Sequence, residues 1–183
     1  MRLKAILLAL VLCIAVLAGC NQTNVPPTTT AGTTSPDTVT TASIVNTEAA
    51  FEKAISNSGV WIICTLKDLT FDKELVLDGE FKNGKKDDAG NDVIQRKIAL
   101  YEQDEARNIT ARYKLTAPKL TINSLNGSIQ HGTFKGDLYV SAKNFELVDA
   151  TVEGNVYFTT DEAKNTFKMD DKSKVTGVQE VKK

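Results

Sequence analysis

The sequence predicts an all-β domain: a single-stranded parallel β-helix with coils of about 18 residues, capped by one short N-terminal helix. Three observations support this prediction. Residues 118–160 contain an internal repeat whose best copies are 18 positions apart. Within each copy, short stretches of alternating apolar residues are separated by Gly-Asp or Gly-Asn corners, as expected of strands joined by tight turns. Helical spacing of apolar residues is found at the start of the domain.

The repeat is clearest when residues 128–142 are aligned with residues 146–160. Thr133, Gly136 and Tyr139 meet identical residues 18 positions later, and a stretched copy follows from Phe167. Equivalent residues of neighbouring coils stack about 4.8 Å apart, so residues 60–183 would form about six or seven coils. Because side chains alternate along a strand, we expect two inward ladders, Leu120/Leu138/Val156 and Ile122/Val140/Phe158, and one outward ladder, Thr121/Tyr139/Tyr157.

Residues 48–57 are predicted to form the capping helix. Thr47 can act as the N-cap, and Phe51, Ala54 and Ile55 form an apolar stripe on one helix face. A helix placed there would cover the unpaired edge of the first coil. Residues 60–66 are β-branched and apolar, which predicts a buried strand with Cys64 inside it.

The first twenty residues read as an export signal. A basic start precedes 14 apolar residues at positions 5–18, fewer than the roughly 20 that a membrane-spanning helix needs. The run ends in Leu17-Ala18-Gly19-Cys20, and here the chain resembles bacterial lipoproteins. The resemblance implies a signal peptide at 1–19, cleavage before Cys20 and lipid chains on that residue. It also implies a location at the extracytoplasmic face of the cell membrane.

Residues 20–47 are predicted to be a disordered tether between the lipid and the β-helix domain at 48–183. Residues 21–47 contain ten Thr, three Pro and one charged residue, Asp37, and offer little apolar surface to bury. The whole chain has 22 Lys and Arg against 23 Asp and Glu, which argues against a nucleic-acid binder. After cleavage and lipidation, Cys64 would be the one free thiol, and we assign it no function.

The repeat region also resembles the bactofilin-type, polymer-forming β-helix proteins. The likeness covers residues 115–178 and is carried by residues 132–140, 149–158 and 173–178. It implies a right-handed β-helix that associates end to end into filaments without nucleotide. This chain departs from that family in its lipobox and in the helix that begins its domain. Such a helix would block stacking at one end.

Several residues are candidates for a site. Outward Tyr139 and Tyr157 could bind a sugar ring or a partner's apolar face, or could serve as a ladder that stabilises the coils. His131 has Thr133 and Asp149 as neighbours in the repeat, but we interpret it as a surface polar residue. The carboxylate-rich loop 87–92 does not match a calcium-binding loop. The mixed charges of 97–114 indicate a solvated face, and comprise Lys97, Glu102, Asp104, Glu105, Arg107, Arg112 and Lys114.

These observations predict a non-enzymatic, lipid-anchored envelope protein that displays a β-helix as a scaffold or binding module. No catalytic residue, metal site or cofactor is expected. Expected partners are the membrane, through the lipid on Cys20, and a cell-wall glycan, a protein or a second copy of the chain. One alternative is a membrane-tethered, polymer-forming structural protein. Another is a small polysaccharide-acting β-helix enzyme.

Overall fold

The computed structural model describes residues 42–182, and within them it confirms the all-β class. The predicted signal peptide and Cys20 lie outside these residues. The described chain contains two helices, α1 (Glu48–Ile55) and α2 (Asp161–Thr166). Its strands are β1 (Ala42–Val45), β2 (Ile62–Thr65), β3 (Leu69–Thr70), β4 (Leu75–Leu77), β5 (Lys82–Lys86), β6 (Asp92–Ile94), β7 (Arg96–Ala99), β8 (Tyr101–Gln103), β9 (Ile109–Arg112), β10 (Lys114–Ile122), β11 (Gly127–Gln130), β12 (Thr133–Val140), β13 (Glu146–Val148), β14 (Thr151–Glu153), β15 (Val156–Phe158), β16 (Lys168–Met169), β17 (Lys174–Val175) and β18 (Gln179–Val181).

Two parallel sheets contain most of these strands. The first has the order β1-β2-β7-β11-β13-β16. In the second, β3 and β4 pair with β10, β10 with β12, β12 with β14 and β15, and these with β17 and β18. The chain alternates between the sheets, so each strand of the first sheet and the second-sheet strands that follow it form one tier. The tiers are β2–β4, β7 with β10, β11 with β12, β13–β15 and β16–β18.

Five tiers therefore follow residue 60, and the prediction of six or seven is wrong for the described chain. The reason is two antiparallel hairpins, β5–β6 and β8–β9, which use residues without adding a tier. The first hairpin contains the carboxylate-rich loop 87–92. Its strands are held by the Asp92 carboxylate, which lies 2.7 Å from Lys82 Nζ and 2.6 Å from Lys86 Nζ.

The predicted ladders are confirmed. Thr121 pairs with Tyr139 and Tyr139 with Tyr157, and all three are partly exposed. The two inward ladders are almost fully buried, with exposed fractions of 0–1 %. Gly136 lies at a corner with φ of +140°, and a Cβ there would overlap the carbonyl oxygen of Ala117. The tiers therefore approach each other too closely at this corner for any other residue.

Two predictions about the start of the domain need correction. Strand β1 lies inside the segment 20–47, which was predicted to be a disordered tether, and its Val45 is 3 % exposed. The short apolar run ending at Val45 suffices to form a strand, because it pairs in parallel with the edge of β2. Cys64 is half-buried on the outward side of β2, whereas its neighbours Ile63 and Thr65 point inward. Burial raises the pKa of the Cys64 thiol, with Lys97 opposing.

Helix α1 begins and packs as predicted. Thr47 Oγ1 accepts a hydrogen bond of 3.2 Å from the amide of Ala50. Phe51, Ala54 and Ile55 are buried in the core, and the Phe51 ring lies 5.5 Å from that of Phe71. The apolar stripe thus joins the helix to the first tier.

A buried arginine, Arg96, holds the end of α1 in place. Its guanidinium donates to the carbonyl oxygens of Ala54 (2.5 Å), Ser56 (3.0 Å) and Asp78, and lies 4.0 Å from the centre of the Phe81 ring. Burial lowers the pKa of Arg96 to about 10, so the group stays charged at neutral pH. The three carbonyls replace the water that the cation loses.

Replacing Arg96 with Met should lower the free energy of unfolding by about 2–4 kcal/mol, because three carbonyls lose their donor. Urea denaturation followed by circular dichroism measures this change. Arg107→Met, in the exposed turn of β8–β9, is the matched control and should change stability by less than about 0.5 kcal/mol. Equal effects of the two substitutions would contradict the role given to Arg96.

Candidate functional site

The two predicted tyrosines lie side by side on the outward face of the second sheet. Tyr139 comes from β12 and Tyr157 from β15, at directly paired positions. Their ring centres are 5.0 Å apart and the ring planes are inclined by 48°. The strands point both side chains outward because the residues on either side of each tyrosine are buried.

Lysine ammonium groups lie over both rings. Lys119 Nζ is 4.7 Å from the centre of the Tyr139 ring, and Lys182 Nζ is 4.2 Å from the centre of the Tyr157 ring. Lys182 also donates a 3.3 Å hydrogen bond to the Tyr139 hydroxyl. We call Lys119, Tyr139, Tyr157 and Lys182 the tyrosine row. It links four successive tiers by cation–π contacts.

The two lysines differ in their charge partners. Lys119 Nζ is 3.1 Å from a carboxylate oxygen of Glu74. Lys182 has no carboxylate within ion-pair distance among residues 42–182. The Tyr139 hydroxyl that accepts its hydrogen bond raises the pKa of Lys182, so the ammonium is charged at neutral pH. Lys182 is therefore the available cation of the row.

The surface around the row extends toward α1. Thr121 lies one tier before Tyr139, and Val76 pairs with Thr121 from the tier before that. Val76 is 43 % exposed. Val76 and Glu74 also line a groove of about 430 Å³ beside α1, together with Ile55 and Lys73. An aromatic row, an exposed valine and an open groove are thus adjacent on one side of the domain.

A second group of polar residues lies at the corner between the sheets. His131 Nδ1 is 3.1 Å from Asp149 Oδ2, which also accepts a 2.6 Å bond from Arg112. The Tyr101 ring meets the His131 ring edge-on at 4.5 Å. We call Tyr101, Arg112, His131 and Asp149 the corner cluster. The hydrogen bond from Arg112 lowers the pKa of Asp149 most, and the contact with His131 lowers it further.

The corner cluster anchors the hairpin β8–β9. Tyr101 and Arg112 are the first and last residues of that hairpin, and both contact residues of later tiers. Arg112 also donates to the backbone carbonyls of His131 and Asp149. Thr133, the neighbour considered from the sequence, makes no side-chain hydrogen bond to His131 in the described chain. Among residues 42–182, the imidazole of His131 is hydrogen-bonded to the carboxylate of Asp149 and to no hydroxyl or thiol.

The remaining candidates are dispersed. Lys114 pairs with Glu153 at 3.1 Å, and Asp104 accepts from Asn108 within the hairpin turn. Asp87 closes its own loop by accepting from the amides of Ala89 and Asn91. Within residues 42–182, no three His, Cys, Asp or Glu side chains are grouped so that they could hold a metal ion.

Comparison of the chain with protein-family models, with curated proteins and with solved structures finds no match. In the described part of the chain, no helix is long and apolar enough to cross a membrane.

Sequence reasoning found the two tyrosines but missed the lysines of the row. Lys119 lies two positions before Thr121 in the outward ladder, so the repeat itself could have shown that it approaches Tyr139. Lys182 follows β18, whose residues pair with residues of β15 that lie 23 positions earlier in the chain. An alignment with an 18-residue spacing therefore does not place Lys182 next to the tyrosines.

Replacing Arg112 with Met should weaken the corner cluster in a pH-dependent way. Because Arg112 lowers the pKa of Asp149, its contribution is present above the ordinary aspartate pKa and is lost as pH falls through the lowered value. We expect the variant to lose about 1 kcal/mol at pH 7 and less near pH 2, measured by urea denaturation. Lys73→Met, which breaks the exposed pair with Glu52, is the control. A deficit that is the same at both pH values would contradict this assignment.

Proposed function

We propose that this protein is a lipid-anchored, non-enzymatic envelope protein that displays a small parallel β-helix as a binding module. The lipobox ending at Cys20 supports the anchor, and the Thr-rich segment after it supports a tether, now taken to end before β1. The domain would then face the space outside the membrane, where a cell-wall glycan or a protein partner is accessible.

The β-helix part of the proposal is supported by three features of the strands. Both main sheets are parallel throughout, each sheet gains strands in the order of the chain, and equivalent residues of successive tiers stack in register. A continuous winding of the chain accounts for all three. As part of this proposal, we expect the β-helix to be right-handed.

The observation that carries the binding function is the tyrosine row. Paired strands place two partly exposed tyrosines side by side, with ring centres 5.0 Å apart and a charged ammonium beside them. Tyrosine offers a partner both apolar area and a polar hydroxyl at little cost in conformational entropy. The hydrogen bonds of the corner cluster, in contrast, hold hairpin β8–β9 against the later tiers.

Co-sedimentation with purified peptidoglycan sacculi tests the proposal, using the full-length chain in detergent. We expect the wild type to bind and the double variant Tyr139→Leu/Tyr157→Leu to bind at least fivefold less. Tyr101→Leu, which removes a tyrosine of the corner cluster and leaves the row intact, should bind as the wild type does. No binding by the wild type, or equal binding by the double variant, would contradict the proposal.

A second function, self-association, is favoured by the inner side chains of the last tier. Met169 is 37 % exposed, whereas Ile98, Ile129 and Leu147 of the same inward ladder are 0 % exposed. Phe167, Val175 and Val181 are also only partly buried. A second copy placed on this tier would continue the ladders, as in the polymer-forming proteins that the repeat resembles. Because α1 packs on the first tier, we expect dimers and not filaments.

Sedimentation velocity over a concentration series distinguishes these outcomes. The wild type should shift toward a dimer as concentration rises, and Met169→Lys should remain monomeric. Val178→Lys introduces the same charge at a residue that is 50 % exposed but outside the inward ladders, and should behave as the wild type does. A wild type that is monomeric at every concentration would exclude self-association, and filaments would favour the polymer-forming alternative.

A further inference from the structure

Other side chains already lie against the two tyrosine rings. Lys119 Nζ and Lys182 Nζ lie 4.7 Å and 4.2 Å from the ring centres, and each ring also has the other ring beside it. A neutral sugar that stacked on such a ring would have to displace a cation that the ring attracts. The arrangement therefore disfavours the stacking mode that an exposed tyrosine pair suggests.

The lysines instead offer hydrogen-bond donors to a ligand. An ammonium has three donors, and Lys182 uses one of them on the Tyr139 hydroxyl. No carboxylate of the described chain lies within ion-pair distance of Lys182. Lys119 is paired with Glu74, but the Glu74 side chain is 65 % exposed and that of Lys119 is partly exposed, so the pair is weak and can exchange for another anion.

The nearby carboxylates leave the Lys182 donors free. Asp137 accepts a 2.9 Å hydrogen bond from the Asn155 amide, which holds it at the corner of the tier. Glu180 is paired with Tyr157 in the sheet register and is exposed, but forms no ion pair with Lys182. Two acidic side chains thus flank the row without neutralising its ammonium at contact distance.

We propose that the tyrosine row binds an anionic group, a carboxylate or a phosphate of an envelope polymer, through the ammonium of Lys182. The tyrosines hold that ammonium in place and supply apolar contact beside the anion. This inference rests on the proposed binding function and specifies the chemistry of its ligand.

Binding of defined polymers to the full-length chain in detergent tests the ligand class. The probes are polygalacturonate for carboxylates, poly(glycerol phosphate) for phosphates, and dextran as the neutral polymer. We expect at least one anionic polymer to bind tenfold or more tighter than dextran, with affinity that falls as salt rises from 50 to 300 mM. Which anionic polymer binds tells a carboxylate ligand from a phosphate one. Equal affinity for dextran would overturn the inference.

Variants of Lys182 test the residue. Lys182→Gln should weaken binding of the anionic polymer at least fivefold, and Lys182→Arg should retain it. The matched control is Lys172→Gln, which removes an exposed lysine of the same last tier. Circular dichroism melting confirms that each variant folds. Equal binding by the Lys182→Gln and Lys172→Gln variants would overturn the inference by assigning the effect to general charge.

The two proposals fail in different ways. If sacculi bind in a manner that depends on the tyrosines but not on Lys182, the binding function stands and the anionic ligand class is wrong. If neither sacculi nor any of the three polymers binds, the proposed function itself is wrong, and this inference is wrong with it.

Discussion

Parallel pairing between successive tiers is the constraint on which the other features depend. A shift of one residue in any strand would turn its inward side chains to solvent, so the register and the core specify each other. Ile63, Ile98, Ile129 and Leu147 illustrate this, since they meet directly across four strands and none is exposed. The same register places Tyr139 against Tyr157 on the outside. The core and the candidate site therefore follow from one pairing scheme.

The sequence allowed prediction of the structure wherever the chain keeps its 18-residue period. That period relates Leu138 to Val156 and Val140 to Phe158, and the ladders there were predicted correctly. It fails where the chain leaves the tier: Ile63 pairs with Ile98, 35 positions on, because hairpin β5–β6 intervenes. Helix α2 similarly widens the last step. Short antiparallel hairpins of Lys, Asp and Gly have the composition of loops, and composition alone cannot distinguish the two.

The residues that sequence reasoning missed make contacts over long distances along the chain. Arg96 binds carbonyls at the end of α1 about 40 positions away, and a charged residue at the start of a strand offers no sign that it will be fully buried. Lys182 reaches Tyr139 from 43 positions away. The chemistry of the tyrosine row changes once these lysines are included: a surface that appeared aromatic is also cationic. Pattern analysis found the two tyrosines, and the three-dimensional structure showed that Lys182 lies against them.

The two hairpins form small sheets of their own at corners between strands of the main sheets. The pairing of those strands with the neighbouring tiers continues on either side of each hairpin. Length added at such a corner does not reach the core, because none of the strand residues of either hairpin is buried. The scaffold can thus gain or lose surface segments while its stacked interior stays the same. A protein built this way can diversify its surface segments without re-optimising its fold, and foreign peptides could be grafted at the hairpin tips 87–91 and 104–108 for display.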